Sequence, residues 1–186
     1  ILASAAREME RGHSEALMPM VVDVLGEANM GFDGLDALAV TIGPGGFTGL
    51  RIGLAAARGM ALASRLPVFG VTTLEVVAHS IPEHERNGKT VLVALDSKRA
   101  DHYVQTFSGA LIPLCEPQAL ASEFLSQLVG PGDLILAGDA AASVHQALCD
   151  QGCDQKININ ISRASGVPDA RILASRAAER WIQGER

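Results

Sequence analysis

Residues 41–63, "TIGPGGFTGLRIGLAAARGMALA", constrain this chain more than any other stretch. A Gly-Pro-Gly-Gly turn runs straight into a helix that keeps Gly49, Gly53 and Gly59, although a glycine inside a helix costs about 0.8–1 kcal/mol relative to alanine. Two arrangements offset that cost. In the first, the amides of Gly45, Gly46 and Phe47 face an anion across the positive end of the helix. A phosphate loop of the Walker kind then needs a Lys followed by Ser or Thr, and a dinucleotide fingerprint needs GxGxxG; "GPGGFTG" has neither spacing. In the second, the small residues admit a close neighbour. Gly49, Gly53, Ala57 and Ala61 recur every four residues as one ridge, while Ala55, Gly59 and Ala63 form another on roughly the opposite face. One ridge is expected to lie on a sheet and the other to receive a helix, with residues 14–28 as the natural neighbour. Two adjacent helices with small or apolar outer surfaces also make a partner-binding face.

The remaining pattern supplies the context. Leu17, Met20, Val21, Val24, Leu25 and Ala28 fall on one stripe of a helix over residues 14–28, with Ser14 as its cap. Residues 35–42, "LDALAVTI", read as a strand buried on both faces, and residues 67–71 as a short second strand. Thr72 and Glu75 have capping-box spacing and open a helix to Ser80. Residues 81–89, "IPEHERNGK", are the best linker. Beyond them "TVLVALD", "HYVQTF" and "LIPLC" read as three strands, followed by a helix with Pro117 in its first turn and Leu120, Phe124, Leu125 and Leu128 on one side. Strand "DLILAG", helix 140–150, strand "KININI" and helix 168–183 complete the chain.

In symbols the second half is βββαβαβα. The first is αβαβα, preceded at most by the tail of a strand at "ILA". The shared order makes this an α/β protein of two ribonuclease H-like lobes, residues 1–82 and 88–186, the first lacking its N-terminal strands. The chain opens on Ile1 rather than Met and is read as part of a longer sequence.

A formal net charge of −6 weighs against autonomous binding of nucleic acid, whose affinity rests on Lys and Arg contacts to phosphate. Arg51, Arg58 and Arg65, seven apart, are either a solvated edge or a stripe that meets acidic groups on a partner or RNA. Cys115, Cys149 and Cys153 form no CxxC pair, which suits reduced thiols. No apolar run reaches the roughly 20 residues of a membrane span and no signal peptide is visible, so a cytoplasmic setting is expected. His13, His79, His84 and His145 have no metal-ligand spacing, and no metal site is expected. Asp96 ends an apolar strand at the turn "DSKRAD", and Gly138 and Asp139 form a strand–turn–helix joint. Each is either a nucleotide-proximal turn or a charged tip. No Ser-His-Asp or Cys-His arrangement emerges, so no catalytic residue is assigned.

"AVTIGPGGFTGLRIGLAAARGMA" with "LPVFGVTTLEVVA", extended by "RGHSEALMPMV", "VALDSKRADHYVQTF" and "LAGDAA", closely resembles the bacterial TsaB (YeaZ-like) family of tRNA threonylcarbamoyladenosine biosynthesis proteins. The resemblance implies a two-lobed actin/Hsp70/sugar-kinase-like (ASKHA) fold and a scaffold subunit without transferase chemistry of its own. Its implied partners are a second copy, a TsaD-type catalytic subunit and a TsaE-type ATPase, with tRNA reached indirectly and modified at adenosine 37 of tRNAs reading codons that start with A. It also implies no cofactor of its own, with ATP or ADP at the complex interface.

The family's dimer face corresponds to helices 14–28 and 48–64. The expected interface is therefore His13, Leu17, Met20, Val21, Val24, Gly49, Arg51, Gly53, Ala57, Arg58 and Ala61. Gly45, Gly46, Asp96, Gly138 and Asp139 are the expected nucleotide-proximal residues. The chain departs from the family in lacking an "LDTS"-like turn and a final segment, and in carrying Asp101-His102 where relatives show Glu. The alternative from fold analogy is an autonomous ATP-dependent transferase or kinase. A metallopeptidase would need a histidine pair at ligand spacing.

Overall fold

Small-residue spacing and hydrophobic runs place most elements where the sequence predicts them. The computed structural model describes residues 1–185. It contains α1 (His13–Glu27), β1 (Leu38–Thr41), α2 (Phe47–Ser64), β2 (Val68–Val71), α3 (Thr73–Ser80), α4 (Glu83–Arg86), β3 (Thr90–Asp96), β4 (Asp101–Phe107), β5 (Gln118–Ala121), β6 (Leu134–Ala137), α5 (Ala141–Asp150), β7 (Ile159–Ile161) and α6 (Ala170–Ile182). The chain divides into two units: residues 1–72 with the segment from Ala170 onward, and residues 73–169. Among the described residues no helix is long and apolar enough to cross a membrane.

In the first unit β1 and β2 pair in parallel, Leu38 opposite Val68 and Thr41 opposite Val71, and α2 is the crossover between them. α1 packs on α2, and α6 packs on both strands. Trp181 meets buried Phe69 edge-on, with ring centroids 6.0 Å apart at 75°, and Arg180 Nη1 donates to the Gly70 carbonyl at 3.0 Å. The expected division at 82–88 therefore shifts to 72/73, and the last helix returns to the first unit, because its apolar side finds this sheet. Ser14 does not cap α1; Gly12 takes the N-cap position at φ 84°, and the Ser14 hydroxyl donates to Glu15 instead. β1 is half-buried at all four residues rather than buried on both faces. It has one strand neighbour, and an apolar cavity of about 450 Å³ runs along it. No strand forms at "ILA".

The second unit is a five-stranded sheet of order β5-β4-β3-β6-β7. β3 and β4 are antiparallel, Val91 opposite Phe107 and Asp96 opposite His102, while β6 and β7 run parallel to β3. Residues 91–95 of the central strand are buried, as a strand with partners on both edges and helices over both faces must be. Val91, Val93 and Leu95 join Phe107 with Leu74 and Val77 of α3; Leu92 and Ala94 join Val104 with Val144 and Leu148 of α5.

Three segments differ from expectation. Residues 111–115 form no strand, only a bridge between Phe107 and Pro113, since proline has no N–H to extend a ladder. The third strand is β5, paired with β4 through Tyr103 and Ala119, so the helix expected after Pro117 gives way to a strand and a 3-10 turn over Ser122–Leu128 that buries Leu125. Residues 81–89 are no linker. Arg86 Nε donates to the Ile81 carbonyl at 3.2 Å and its Nη1 to the Gly109 carbonyl, while Glu85 accepts from the Ser162 hydroxyl at 2.7 Å and the Arg163 amide at 3.2 Å.

Trp181→Ala should lower stability by about 2–3 kcal/mol in urea unfolding followed by circular dichroism, because a large, partly buried aromatic leaves a gap against Phe69. The Ser162 hydroxyl, with smaller help from the Arg163 amide and the nearby His84 and Arg163 charges, outweighs burial and holds the Glu85 carboxyl below the ordinary carboxylate range. A carboxyl whose folded pKa is depressed stabilises the fold above its unfolded pKa and loses that contribution as pH falls through the folded value. Glu85→Gln should thus destabilise the protein at neutral pH and converge with the wild type in acid, below the ordinary carboxylate range, in thermal melts across pH.

Candidate functional site

α2 presents two unlike faces. On one, a Cβ added at Gly53 would stand 3.9 Å from Val40 Cγ2, and Ala57 is only 5% exposed. Leu17, Met20, Val21 and Val24 of α1 are half-buried and line the same apolar cavity as Gly53 and Ala57. Ala61 is half-buried as well. Of the expected interface residues, Leu17, Met20, Val21, Val24, Gly53 and Ala61 are therefore half-buried and Ala57 is buried, and all but Ala61 line that cavity. The reason is the four-residue ridge itself, which lets the helix backbone settle on apolar β1.

The other face is open. Arg51, Ala55, Arg58, Gly59 and Ala63 are exposed, and Leu62 is 85% exposed. Positions 51, 55, 58, 62 and 65 alternate in steps of four and three, the spacing of a seam between packed helices. From α1 come Val22, 60% exposed, and Met18, which lines a shallow groove of about 400 Å³ with Ala56, Gly59, Met60 and Ala63. No heavy atom outside the helix backbone lies within 4 Å of a Cβ built at Gly49 or Gly59. The Arg51 guanidinium sits 3.9 Å from the ring centroid of exposed Phe47, a cation–π contact that stiffens both side chains. Of the expected interface, His13, Gly49, Arg51 and Arg58 are on the surface. Phe47, Leu62, Val22 and Met18 are exposed as well. The seven-residue arginine repeat carried that signal, because it marks the solvent side of α2.

The nucleotide-proximal candidates separate. Gly45 and Gly46 lie in the first unit. Gly45 packs on Leu50, whereas Gly46 is exposed and its carbonyl accepts the Leu50 amide at 3.0 Å. Asp96, Gly138 and Asp139 come together in the second unit. Gly138, at φ +106°, lies so close to β3 that a Cβ would stand 1.9 Å from the Ala94 carbonyl oxygen. Asp139 Oδ1 accepts the Asp96 amide at 2.8 Å, Asp96 Oδ1 accepts the Lys98 amide at 2.7 Å, and Asp96 Oδ2 pairs with Lys98 Nζ at 2.6 Å. Lys98, through its side chain first, holds the Asp96 carboxyl below its ordinary range, and Asp96 raises Lys98 in return. The Asp96 and Lys98 amides are thus bonded to carboxylates. Among the described residues no group of three or more His, Cys, Asp or Glu side chains is placed to hold a metal ion.

A five-stranded 3-2-1-4-5 sheet in one unit and a parallel pair of the same pattern in the other fit an α/β protein of actin-like fold. The family model described as TsaD, tRNA N6-adenosine threonylcarbamoyltransferase, matches residues 5–152. The chain belongs to this family and, within it, is TsaB/YeaZ-like. It is 40% identical over 94 residues to the Escherichia coli tRNA threonylcarbamoyladenosine biosynthesis protein TsaB, a match spanning 50% of this chain and 40% of that protein. Among solved structures it resembles a Pseudomonas aeruginosa protein described as uncharacterized with similarity to peptidase YeaZ (TM-score 0.80, 27% identity, 96% of this chain and 81% of that one). It also resembles YeaZ from Pseudomonas aeruginosa (TM-score 0.75, 28% identity, 93% and 80%).

The two faces of α2 predict opposite responses to added bulk. Gly59→Ala should raise stability by up to about 1 kcal/mol, since open space receives the methyl and helix propensity improves. Ala57→Leu should lower it by about 1–3 kcal/mol through overpacking. Urea midpoints of the two variants measure both.

Proposed function

We propose that this protein is a non-catalytic scaffold subunit in the biosynthesis of threonylcarbamoyladenosine at position 37 of tRNA. In this reading it binds a TsaD-type catalytic subunit through the outward face of α1 and α2. The observation that carries the reading is the exposed seam itself: Leu62, Val22 and the Phe47–Arg51 pair stand in solvent on a rigid helix pair whose glycines leave room for another backbone. Exposed aromatic, Arg and aliphatic side chains on a preformed surface are what interface anchors consist of. The name of the E. coli relative supports the pathway.

The same face serves self-association, so a second copy and the catalytic subunit compete for it. The TsaE-type ATPase and the tRNA join through the assembled complex, in the cytoplasm. ATP or ADP is held at the complex interface rather than by the Asp96 turn, where the Asp96 and Lys98 amides are bonded to carboxylates.

Leu62→Glu in the full-length protein should abolish co-purification with the TsaD-type subunit and reduce threonylcarbamoyladenosine in a reconstituted tRNA assay to the level seen without the scaffold. Circular dichroism should be unchanged, because Leu62 is exposed. Wild-type recovery of the complex would overturn the assignment.

A further inference from the structure

The second unit carries its charge one-sidedly. Between Arg99 and Lys156 the sequence has no Lys or Arg, so every Asp and Glu in that stretch is left without a cation nearby in the chain. Part of the stretch forms a layer over one face of the five-stranded sheet. Val144 and Leu148 of α5, Leu125 of the 3-10 turn Ser122–Leu128 and Cys153 of the next turn point into that layer's core. Gln151 ties the layer together, since its Nε2 donates to the Ser122 carbonyl at 2.8 Å and its Oε1 accepts the Ser126 amide at 3.3 Å. The C-terminal end of α5 is thereby set against the turn that carries Glu123 and Phe124.

What this layer shows to solvent is an aromatic ring among carboxylates. Leu125 is the inward anchor of the turn, which leaves Phe124 44% exposed. Glu123, Asp150 and Asp154 are exposed as well, and among the described residues none of the three makes an ion pair. Asp150 stands in the last turn of α5, which holds no basic residue, so its charge opposes the helix dipole. The negative field reaches the layer itself: burial first, then the Asp154 and Asp150 charges, push the Cys149 thiol above its ordinary value.

We propose that Phe124, Glu123, Asp150 and Asp154 form a docking surface for a basic segment of a partner protein. The surface lies in the second unit and does not depend on the role of α1 and α2. Charge selects the occupant. Nucleic acid and anionic lipid carry the same sign as the surface and are repelled. Among the described residues no group of three or more ligating side chains is placed to hold a metal ion. A Lys- or Arg-bearing polypeptide satisfies the carboxylates, while its aliphatic stems and apolar side chains cover the Phe124 ring. The carboxylates steer and orient the segment, and the ring anchors it.

Titration of the 15N-labelled full-length protein with an amphipathic peptide of Lys-Leu-Ala-Lys repeats tests this by amide shifts. The shifts should centre on residues 122–128 and 149–155 and weaken as salt rises. E123Q/D150N/D154N should loosen binding by about tenfold or more, and Phe124→Ala by about threefold or more. The same number of neutralisations on α1, E15Q/D23N/E27Q, should leave the affinity unchanged. A peptide with Glu in place of Lys, tRNA, and phosphatidylglycerol vesicles should shift none of these amides. E123Q/D150N/D154N should also melt no lower than the wild type, because neutralising Asp150 relieves the helix end. Shifts centred on α1 or spread evenly, unchanged affinity in E123Q/D150N/D154N or in Phe124→Ala, or tRNA or vesicles shifting residues 122–128 would each overturn the proposal. A lower melting temperature of E123Q/D150N/D154N would assign the carboxylates to the fold and overturn it as well.

Discussion

The seating of α2 on β1 decides what the first unit shows to solvent. Gly53 brings the helix backbone to Val40, and buried Ala57 continues the contact one turn on. A helix is a rigid cylinder, so fixing one side of it fixes the other. Once Gly53 and Ala57 face the strand, Arg51, Ala55, Arg58 and Leu62 have nowhere to point but outward. Gly59 on that outer side has nothing within 4 Å of where a Cβ would stand, and its helix-propensity cost is not offset within the chain. In the proposed function an external surface that approaches the backbone closely offsets it.

The second unit shows the same logic carried to completion. There the central strand has neighbours on both edges and helices on both faces, and its apolar residues are sealed in two core clusters. Its turn at Asp96 is tied internally, because Asp139 accepts the Asp96 amide and Asp96 accepts the Lys98 amide and pairs with the Lys98 ammonium. Gly138 makes that closure possible by letting the chain pass against the Ala94 carbonyl, where any side chain would collide.

Much of this was legible from residue spacing. The strand runs at 38–41, 90–96 and 134–137 and the helices around 47–64 and 141–150 follow from period and composition, because local pattern and tertiary role agree there. The third strand did not follow, since "LIPLC" has strand composition but Pro113 cannot extend a ladder, while "QALA" reads as helix until β4 offers it an edge. Likewise "IPEHERNGK" has linker composition, yet Arg86 and Glu85 tie it into the second unit through bonds to residues far along the chain. The expected interface residues divide between half-buried and exposed positions of α1 and α2. Four-residue spacing identifies a packing ridge without saying which of two ridges meets the sheet. The arginine repeat, which must lie in water, identifies the outer face directly.

In the proposed function the outer face of α1 and α2 is covered by another polypeptide when the protein works. Hydroxyl-radical footprinting of the full-length protein, alone and with its TsaD-type partner, measures that cover side chain by side chain. Met18, Val22, Phe47 and Leu62 should lose reactivity on mixing, while Ile112 and Leu114, exposed in the second unit, should keep it. Unchanged labelling of the four helix-pair residues, with protection appearing at Ile112 and Leu114 instead, would contradict it.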